Sequence, residues 1–404
     1  MKNTPRFVEK AETLFAYSQN IRRDFHRNPE LGFREYRTAE VIARELRSLG
    51  LEVSTGIAET GVMALIEGGQ PGRVVMLRFD MDALPIEEQT GAEYASQNPG
   101  VMHACGHDGH MAIGLTVARL LHEYRDAIHG TVKLVFQPAE EGLGGAERMV
   151  AEQVLENPKV DYCLGLHLWN EKPLGWAAVV PGAFMAGADF FTVHILGKGG
   201  HGGLPETTID PIVAAAQIVM ALQTIVSRNI APLESAVVSV TQMAAGSAYN
   251  VIPNLAELRG TIRTFLPEVR DVVVARLEQI VRSISQGMNC EAEIEIQRLT
   301  WPVVNHPRIA EIVQEVMLNL LPEYRNERNY RSMVSEDMAV FLNAVPGCFF
   351  FIGSGNPEKG LTASHHHPKF DFDEQVLPKA AAILAAAAIE LGKLELGSSQ
   401  HANS

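Results

Sequence analysis

Cysteine is scarce, with four in 404 residues. In a chain this long that excludes a disulfide framework and fits a reducing, cytoplasmic setting. Basic residues are outnumbered, 34 Lys and Arg against 48 Asp and Glu, for a net charge of −14. That shortage argues against nucleic acid, whose phosphates need clustered cations, and against an anionic membrane surface. An anionic small substrate stays open, because one well-placed Arg outweighs a distant global field. Long apolar runs are missing too. No window approaches the roughly 18–20 apolar residues of a membrane span, and the alanine stretch Ala380 to Ile389 is too short. No apolar segment follows Met1-Lys2-Asn3-Thr4-Pro5-Arg6, so no secretory signal is expected. Repeats and low-complexity linkers are absent, and the small, polar stretch Gly397 to Ser404 is expected to fray.

What is present suits a globular enzyme-sized chain: hydrophobic residues make up 46%, and the length suggests two or three domains. Helical spacing runs over Phe7 to Arg27, Thr38 to Leu49 and Met111 to Tyr124. Apolar strands are expected at Val62 to Ile66, Arg73 to Phe79, Thr131 to Gln137 and Asp161 to Leu168. This alternation predicts an α/β domain with a largely parallel sheet covered on both faces. The pattern changes near Gly187. A strand at Asp189 to Leu196 leads to a helix opened by Asp210-Pro211. Strands at Ala236 to Gln242 and Ala256 to Phe265, a helix over Glu268 to Ser285 and the alternating strand Glu291 to Ile296 complete a βαββαβ order, that of ferredoxin-like domains. The α/β signature returns with a helix from Pro307, a strand at Cys348 to Gly353 and a helix over Glu374 to Leu391. The chain therefore reads as a discontinuous α/β domain, residues 1–186 and 300–404, with an α+β domain inserted at 187–299.

Four segments concentrate metal-ligand side chains, each expected at or after a strand, where α/β sheets place their sites. In His103-Ala104-Cys105-Gly106-His107-Asp108-Gly109-His110, Cys105 and His107 are two apart, so an extended loop would point both the same way. A lone Cys-x-His is more often a turn with a buried thiol. Three His, one Cys and one Asp within this run favour a metal, since thiolate and imidazole both suit borderline ions. Gln137-Pro138-Ala139-Glu140-Glu141-Gly142 puts two carboxylates at a strand end, where a nearby cation would offset their repulsion. His167 is expected at the end of an apolar strand. Ser364-His365-His366-His367-Pro368 is a histidine tract of metal-binding composition. A fifth segment, Asp80-Met81-Asp82-Ala83-Leu84-Pro85, offers carboxylates to orient a ligating His. These donors suffice for two ions. A two-metal site activates water and needs one carboxylate left free as general base, a role open to either Glu140 or Glu141.

The residues His103 to Asp108, Pro138 to Gly142, the run from His366 to Phe372 and Asp80 to Pro85 resemble the M20 amidohydrolases. The close branch holds hippurate hydrolases, N-acyl-L-amino acid amidohydrolases and auxin-conjugate hydrolases. The likeness runs from Arg23-Asp24-Phe25-His26 to the last helix. The resemblance implies that Cys105 bridges two divalent ions (zinc, manganese, cobalt or nickel). His107 and His167 would complete one site, Glu141 and His366 the other, with Pro368 fixing the register of His366. Glu140 would be the general base, and Asp80 and Asp82 would support the ligands. The inserted domain would be a dimerisation or lid domain. From it His201, in Gly199-Gly200-His201-Gly202-Gly203, would stabilise an oxyanion, and Asn250 and Arg263 would bind the substrate carboxylate. The implied activity is hydrolysis of N-acyl-L-amino acids by a homodimer or higher homo-oligomer. A dipeptidase or carboxypeptidase of the same clan and a catalytically inactive metal-containing binding protein are the rivals. A bridging Cys, where such peptidases usually have Asp, argues against the first; the complete ligand set with Glu140 argues against the second.

Overall fold

The computed structural model describes residues 6–394. The expectations for Met1 to Pro5 and for Gly397 to Ser404 lie outside the described residues. The chain divides into two compact units. The first joins the chain up to Gly182 with Val304–Tyr330 and the part from Asp337 onward; the second joins Ala183–Val303 with Arg331–Glu336. The sequence pattern sets its boundaries at 187 and 299 and does not see the short return at Arg331–Glu336. That return is held partly by backbone: Ser332 donates to Phe184 and accepts from Ala186, bonds that leave no periodic signature.

The first unit is built on an eight-stranded sheet. Its first six strands are β1 (Glu52–Ile57), β2 (Gly61–Glu67), β3 (Gln70–Asp80), β4 (His129–Gln137), β5 (Tyr162–Pro173) and β6 (Trp176–Ala178). Across the sheet the order is β1-β2-β4-β3-β5, then Gly347–Gly355, β6 and Arg325–Asn326. β4, β3, β5 and Gly347–Gly355 run parallel. β1 and β2 are antiparallel, as are β2 and β4, and β6 is antiparallel to Gly347–Gly355. The sheet is thus mixed, where a largely parallel one was expected. Apolar runs report burial on both faces, and burial does not fix strand direction.

Four helices come first in this unit: α1 (Phe7–Thr13), α2 (Phe15–Arg27), α3 (Tyr36–Ser48) and α4 (His107–Glu123). The single helix expected over Phe7 to Arg27 breaks at Leu14. The last helix, Val376–Gly392, is apolar all round and buried from Ala380 to Ile389, as a core helix must be. α4 lies so close to the sheet that a Cβ on Gly114 would stand 2.7 Å from Phe79 and 2.8 Å from Phe136.

The second unit runs β-α-β-β-α-β through Gly187–Leu196, Pro211–Asn229, Ala236–Ala245, Leu255–Thr264, Pro267–Gly287 and Glu291–Thr300. Its sheet is antiparallel, in the order second, third, first, fourth strand. Phe191, Val193, Ile195, Ile218, Leu222 and Leu258 belong to its separate core. Asp210 caps the first helix by accepting from the Ile212 N–H at 2.9 Å. That helix, Pro211–Asn229, is long and apolar enough to cross a membrane by length and composition, which corrects the expectation that no window qualifies. Ala214, Ala215, Ile218, Leu222 and Ile225 on it are buried in the unit's core, which is the ordinary origin of such a signal.

Candidate metal centre

Three loops, one strand and the first turn of a helix in the first unit carry the donors. β3 ends at Asp80, and residues 81–106 follow without a regular strand, so the His103 cluster opens a helix where a preceding strand was expected. Gly106 is left-handed, at φ 89°, and caps α4, which starts at His107. This corrects the extended-loop picture of Cys105 and His107: a left-handed turn, open to Gly at no steric cost, sets their relation. β4 delivers Pro138 to Gly142, with Ala139 left-handed at φ 55°. His167 lies inside β5, which continues to Pro173, and not at the strand end expected near Leu168. His366 is also left-handed, at φ 64°, and its N–H is tied to the Ala104 carbonyl at 2.8 Å. That bond sets the histidine tract against the cysteine loop.

The donor atoms of Cys105, His107 and His167 lie within 4.8 Å of one another, as do those of Cys105, Glu141 and His366 and those of His107, Glu140 and Glu141. Cys105 is common to the first two groups. Cys105 Sγ is 3.4 Å from His167 Nε2, and His366 Nε2 is 3.2 Å from Glu141 Oε1. The rings of His107 and His167 are each held by the other nitrogen. His107 Nδ1 donates to the Asp82 carbonyl at 2.9 Å, and His167 Nδ1 donates to the Leu168 carbonyl at 2.7 Å. Both rings therefore present Nε2 to the cluster, the arrangement that orients imidazole ligands. The tract divides three ways: His365 donates to the Leu168 carbonyl at 2.9 Å, His366 faces Glu141, and His367 accepts from the Lys369 N–H.

The electrostatics are those of a site with surplus negative charge. Burial, then the charges of Glu141, Glu140 and Asp80, pushes the Cys105 thiol well above its ordinary range. Burial opposes protonation of His107, yet Asp80, Asp82 and Glu141 together push it up to about 10. His167 is pushed well down by burial and then by neighbouring imidazoles. His107 Nε2 and Glu141 Oε1 are buried and have no hydrogen-bond partner among the described residues. Sulfur, nitrogen and oxygen donors converging in an acidic pocket fit divalent cations, whose charge would offset the surplus and favour the thiolate.

Asp82 touches two of the donor segments. Its carbonyl holds His107, and its Oδ2 accepts from the Glu141 N–H at 3.0 Å. Asp80 is turned elsewhere: Oδ1 pairs with His110 Nδ1 at 2.6 Å and Oδ2 with Arg78 at 2.7 Å, while His107 Nε2 stays 3.7 Å away. His110 Nε2 accepts from the Leu168 N–H at 3.0 Å, so both its nitrogens are engaged. Asp80, His107 and His110 form a further donor group by distance, but His110 has no lone pair left for an ion. His110 and Arg78 were not singled out in the sequence; a His in the first turn after a ligand run and an Arg inside an apolar strand were the available signals. Glu140 Oε1 accepts from the Asp337 N–H at 3.4 Å.

The remaining sequence candidates belong to the second unit. His201 pairs with Val251 in a two-residue ribbon, and the Asn250 carbonyl accepts from Gly202 beside it. His201 Nδ1 accepts from the Gly203 N–H at 2.9 Å, so the neutral ring carries its proton on Nε2. Arg263 is half-buried and donates to Ser335 Oγ at 2.8 Å. These three are not part of the donor cluster of the first unit.

A mixed sheet covered by helices and carrying clustered Cys, His and Glu donors defines a protein of the metal-binding α/β class. The chain belongs to the peptidase family M20/M25/M40, whose model matches residues 76–390. It is 40% identical over 374 residues to thermostable carboxypeptidase 2 of Saccharolobus solfataricus, covering 92% of this chain and 94% of that protein. It is 39% identical over 371 residues to the N-acetylcysteine deacetylase of Bacillus subtilis, covering 92% and 95%. A crystal structure of the Bacillus subtilis YxeP protein, described as a dinuclear metal-binding peptidase from the M20 family, superposes with a TM-score of 0.84 at 35% identity, covering 94% of this chain and 99% of that one.

Proposed function

We propose that the protein hydrolyses the amide bond of N-acyl-L-amino acids, of the hippurate or aminoacylase type, releasing a carboxylic acid and an amino acid. The observation that carries this reading is the pair of donor triads sharing Cys105, with Glu140 beside them. Cys105 would bridge two divalent ions, with His107 and His167 on one and Glu141 and His366 on the other. Such ions polarise an amide carbonyl and make water a nucleophile near neutral pH. A sulfur ligand leans towards zinc, cobalt or nickel, with manganese as the harder alternative.

Glu140, left over once five ligands are assigned, takes the water's proton and passes it to the departing nitrogen. His201 donates from Nε2 to the oxyanion, a role its tautomer suits. Asn250 and Arg263 hold the substrate carboxylate. The second unit serves as lid and dimerisation domain of a cytoplasmic homodimer or larger homo-oligomer, supported by the apolar stripe Ile212, Val213, Ala216 and Met220 exposed on its first helix. No nucleic acid or membrane partner enters the reading.

The name of the carboxypeptidase relative favours a second reading. Both reactions cut an amide whose leaving nitrogen belongs to an amino acid with a free carboxylate, so the site chemistry is shared and the acyl side decides. Assays of N-acetyl and N-benzoyl amino acids beside blocked and unblocked peptides separate the two. Faster turnover of simple N-acyl amino acids supports the proposal; exclusive cleavage of peptides contradicts it. Glu140→Gln should lower kcat at least ~1,000-fold and leave bound metal unchanged, since the variant loses proton transfer alone; a fully active variant rejects Glu140 as base.

A further inference from the structure

Glu35 is fully buried and stands at the N-cap position of α3. A side chain there ordinarily accepts from the first helical N–H groups, yet Glu35 makes no such bond. Glu30 does that work instead: its carboxylate accepts from the N–H groups of Arg37 at 3.2 Å and Thr38 at 2.8 Å. Glu35 is thereby free to reach across the fold. Its Oε2 accepts from Thr60 Oγ1 at 2.6 Å, and its Oε1 accepts from the Ala139 N–H at 3.0 Å.

Ala139 immediately precedes Glu140 and Glu141. It is the residue forced into the left-handed region, at φ 55°, a conformation that is costly for a non-glycine residue and persists only where its surroundings hold it. Two residues on, the Glu141 N–H is bonded to Asp82 Oδ2 at 3.0 Å. The turn that aims the two glutamates is thus gripped at alternate N–H groups by two buried carboxylates. Asp82 comes from just beyond the end of β3, and Glu35 comes from a distant helix start that carries no donor of its own.

We propose that Glu35 is a positioning residue for the Glu140–Glu141 turn, fixing the direction of Glu141 and hence the affinity of the Glu141–His366 metal site. The inference rests on the ligand assignment proposed above. Glu35 contacts no donor atom of the cluster, so its effect is confined to the site that the turn serves, and the Cys105–His107–His167 site is left as it is.

The test is calorimetric titration of metal-free full-length protein with zinc. Wild type should bind two ions per chain; one ion or none would reject the ligand assignment itself, whatever Glu35 does. Given two, Glu35→Ala should weaken one site at least ~10-fold and leave the other within about two-fold, because a lost supporting contact costs that much in metal affinity. Glu35→Gln keeps an acceptor for the Ala139 N–H and a partner for the Thr60 hydroxyl, and should restore both affinities. Should Glu35→Ala not fold, Thr60→Val carries the test, with a smaller loss at the same single site. A merely structural role would lower the melting temperature and leave the affinities of the folded protein alone. Two unchanged affinities, two that fall together, or a Gln variant as weak as Ala would overturn the proposal.

Discussion

Burial holds the Glu35 carboxyl protonated to higher pH than an exposed glutamate, up to about 7 from 4.5, against the opposing bonds from Thr60 and Ala139. Between those values the folded chain keeps a proton that the unfolded chain has released. Stability must therefore fall as pH rises through this window. The whole shift is worth roughly 3 kcal/mol. Glu35→Gln removes it. Urea unfolding of the metal-free proteins should show the variant gaining on wild type from about pH 4.5 to about pH 7, then running level. A difference flat across that range would mean that the carboxyl is not held in a low-dielectric setting. Other residue-scale features were legible in the sequence for a simple reason. Cys, His and Glu are seldom gathered within a few positions by chance, so Cys105, His107, Glu140 and Glu141 announce themselves. Glu35 does not, because a lone glutamate outside any cluster gives no sign of the partners that the fold supplies. His110 and Arg78 are hidden similarly: each is engaged by a partner that only the fold supplies.

At the scale of elements, α4 links packing to chemistry. It carries His107 in its first turn and packs on Phe79 and Phe136 through Gly114. Gly114→Val places atoms where none fit, and should destabilise the protein by about 1–3 kcal/mol. The helix can relieve the clash only by lifting from the sheet, which moves His107. Denaturant unfolding and metal content measured together check this; an unchanged midpoint with full metal content would show that the helix has slack. Most strands and helices followed from periodicity to within a few residues, as the helix at Pro211–Asn229 and the strand at Gly187–Leu196 illustrate. The start of α4 did not, because Gly106-His107-Asp108-Gly109 has the composition of a loop, and its helicity comes from a left-handed cap and burial. The edge strand β1 and the short strand β6 also escaped. β1 is half-exposed and holds Ser54, Thr55 and Gly56, and β6 is only Trp176–Ala178. Neither gives a run of apolar residues long enough to register, and the antiparallel pairing of β2 with β4 was hidden because burial does not fix strand direction.

For the whole molecule, the two units have separate hydrophobic cores, and all five proposed ligands sit on the first. Metal binds the folded state and stabilises it by mass action. Scanning calorimetry should therefore resolve two transitions, and a chelator should lower one of them and leave the other in place. A single transition that falls as a whole would mean that the units unfold together. The insertion of one unit into the other was readable as a change from strand-helix alternation to βαββαβ. The return at Arg331–Glu336 was not, since the backbone bonds at Ser332 and the Arg263–Ser335 bond that tie it in leave no periodic pattern.

The account depends most on a thiolate shared by two ions. Titrating the metal-free protein with cobalt(II) reads this directly through the sulfur-to-metal charge-transfer absorption. The predicted result is a band that grows up to two equivalents of cobalt and is lost in Cys105→Ser. A wild-type protein that saturates with cobalt and develops no such band, or a band that survives the substitution, would contradict it.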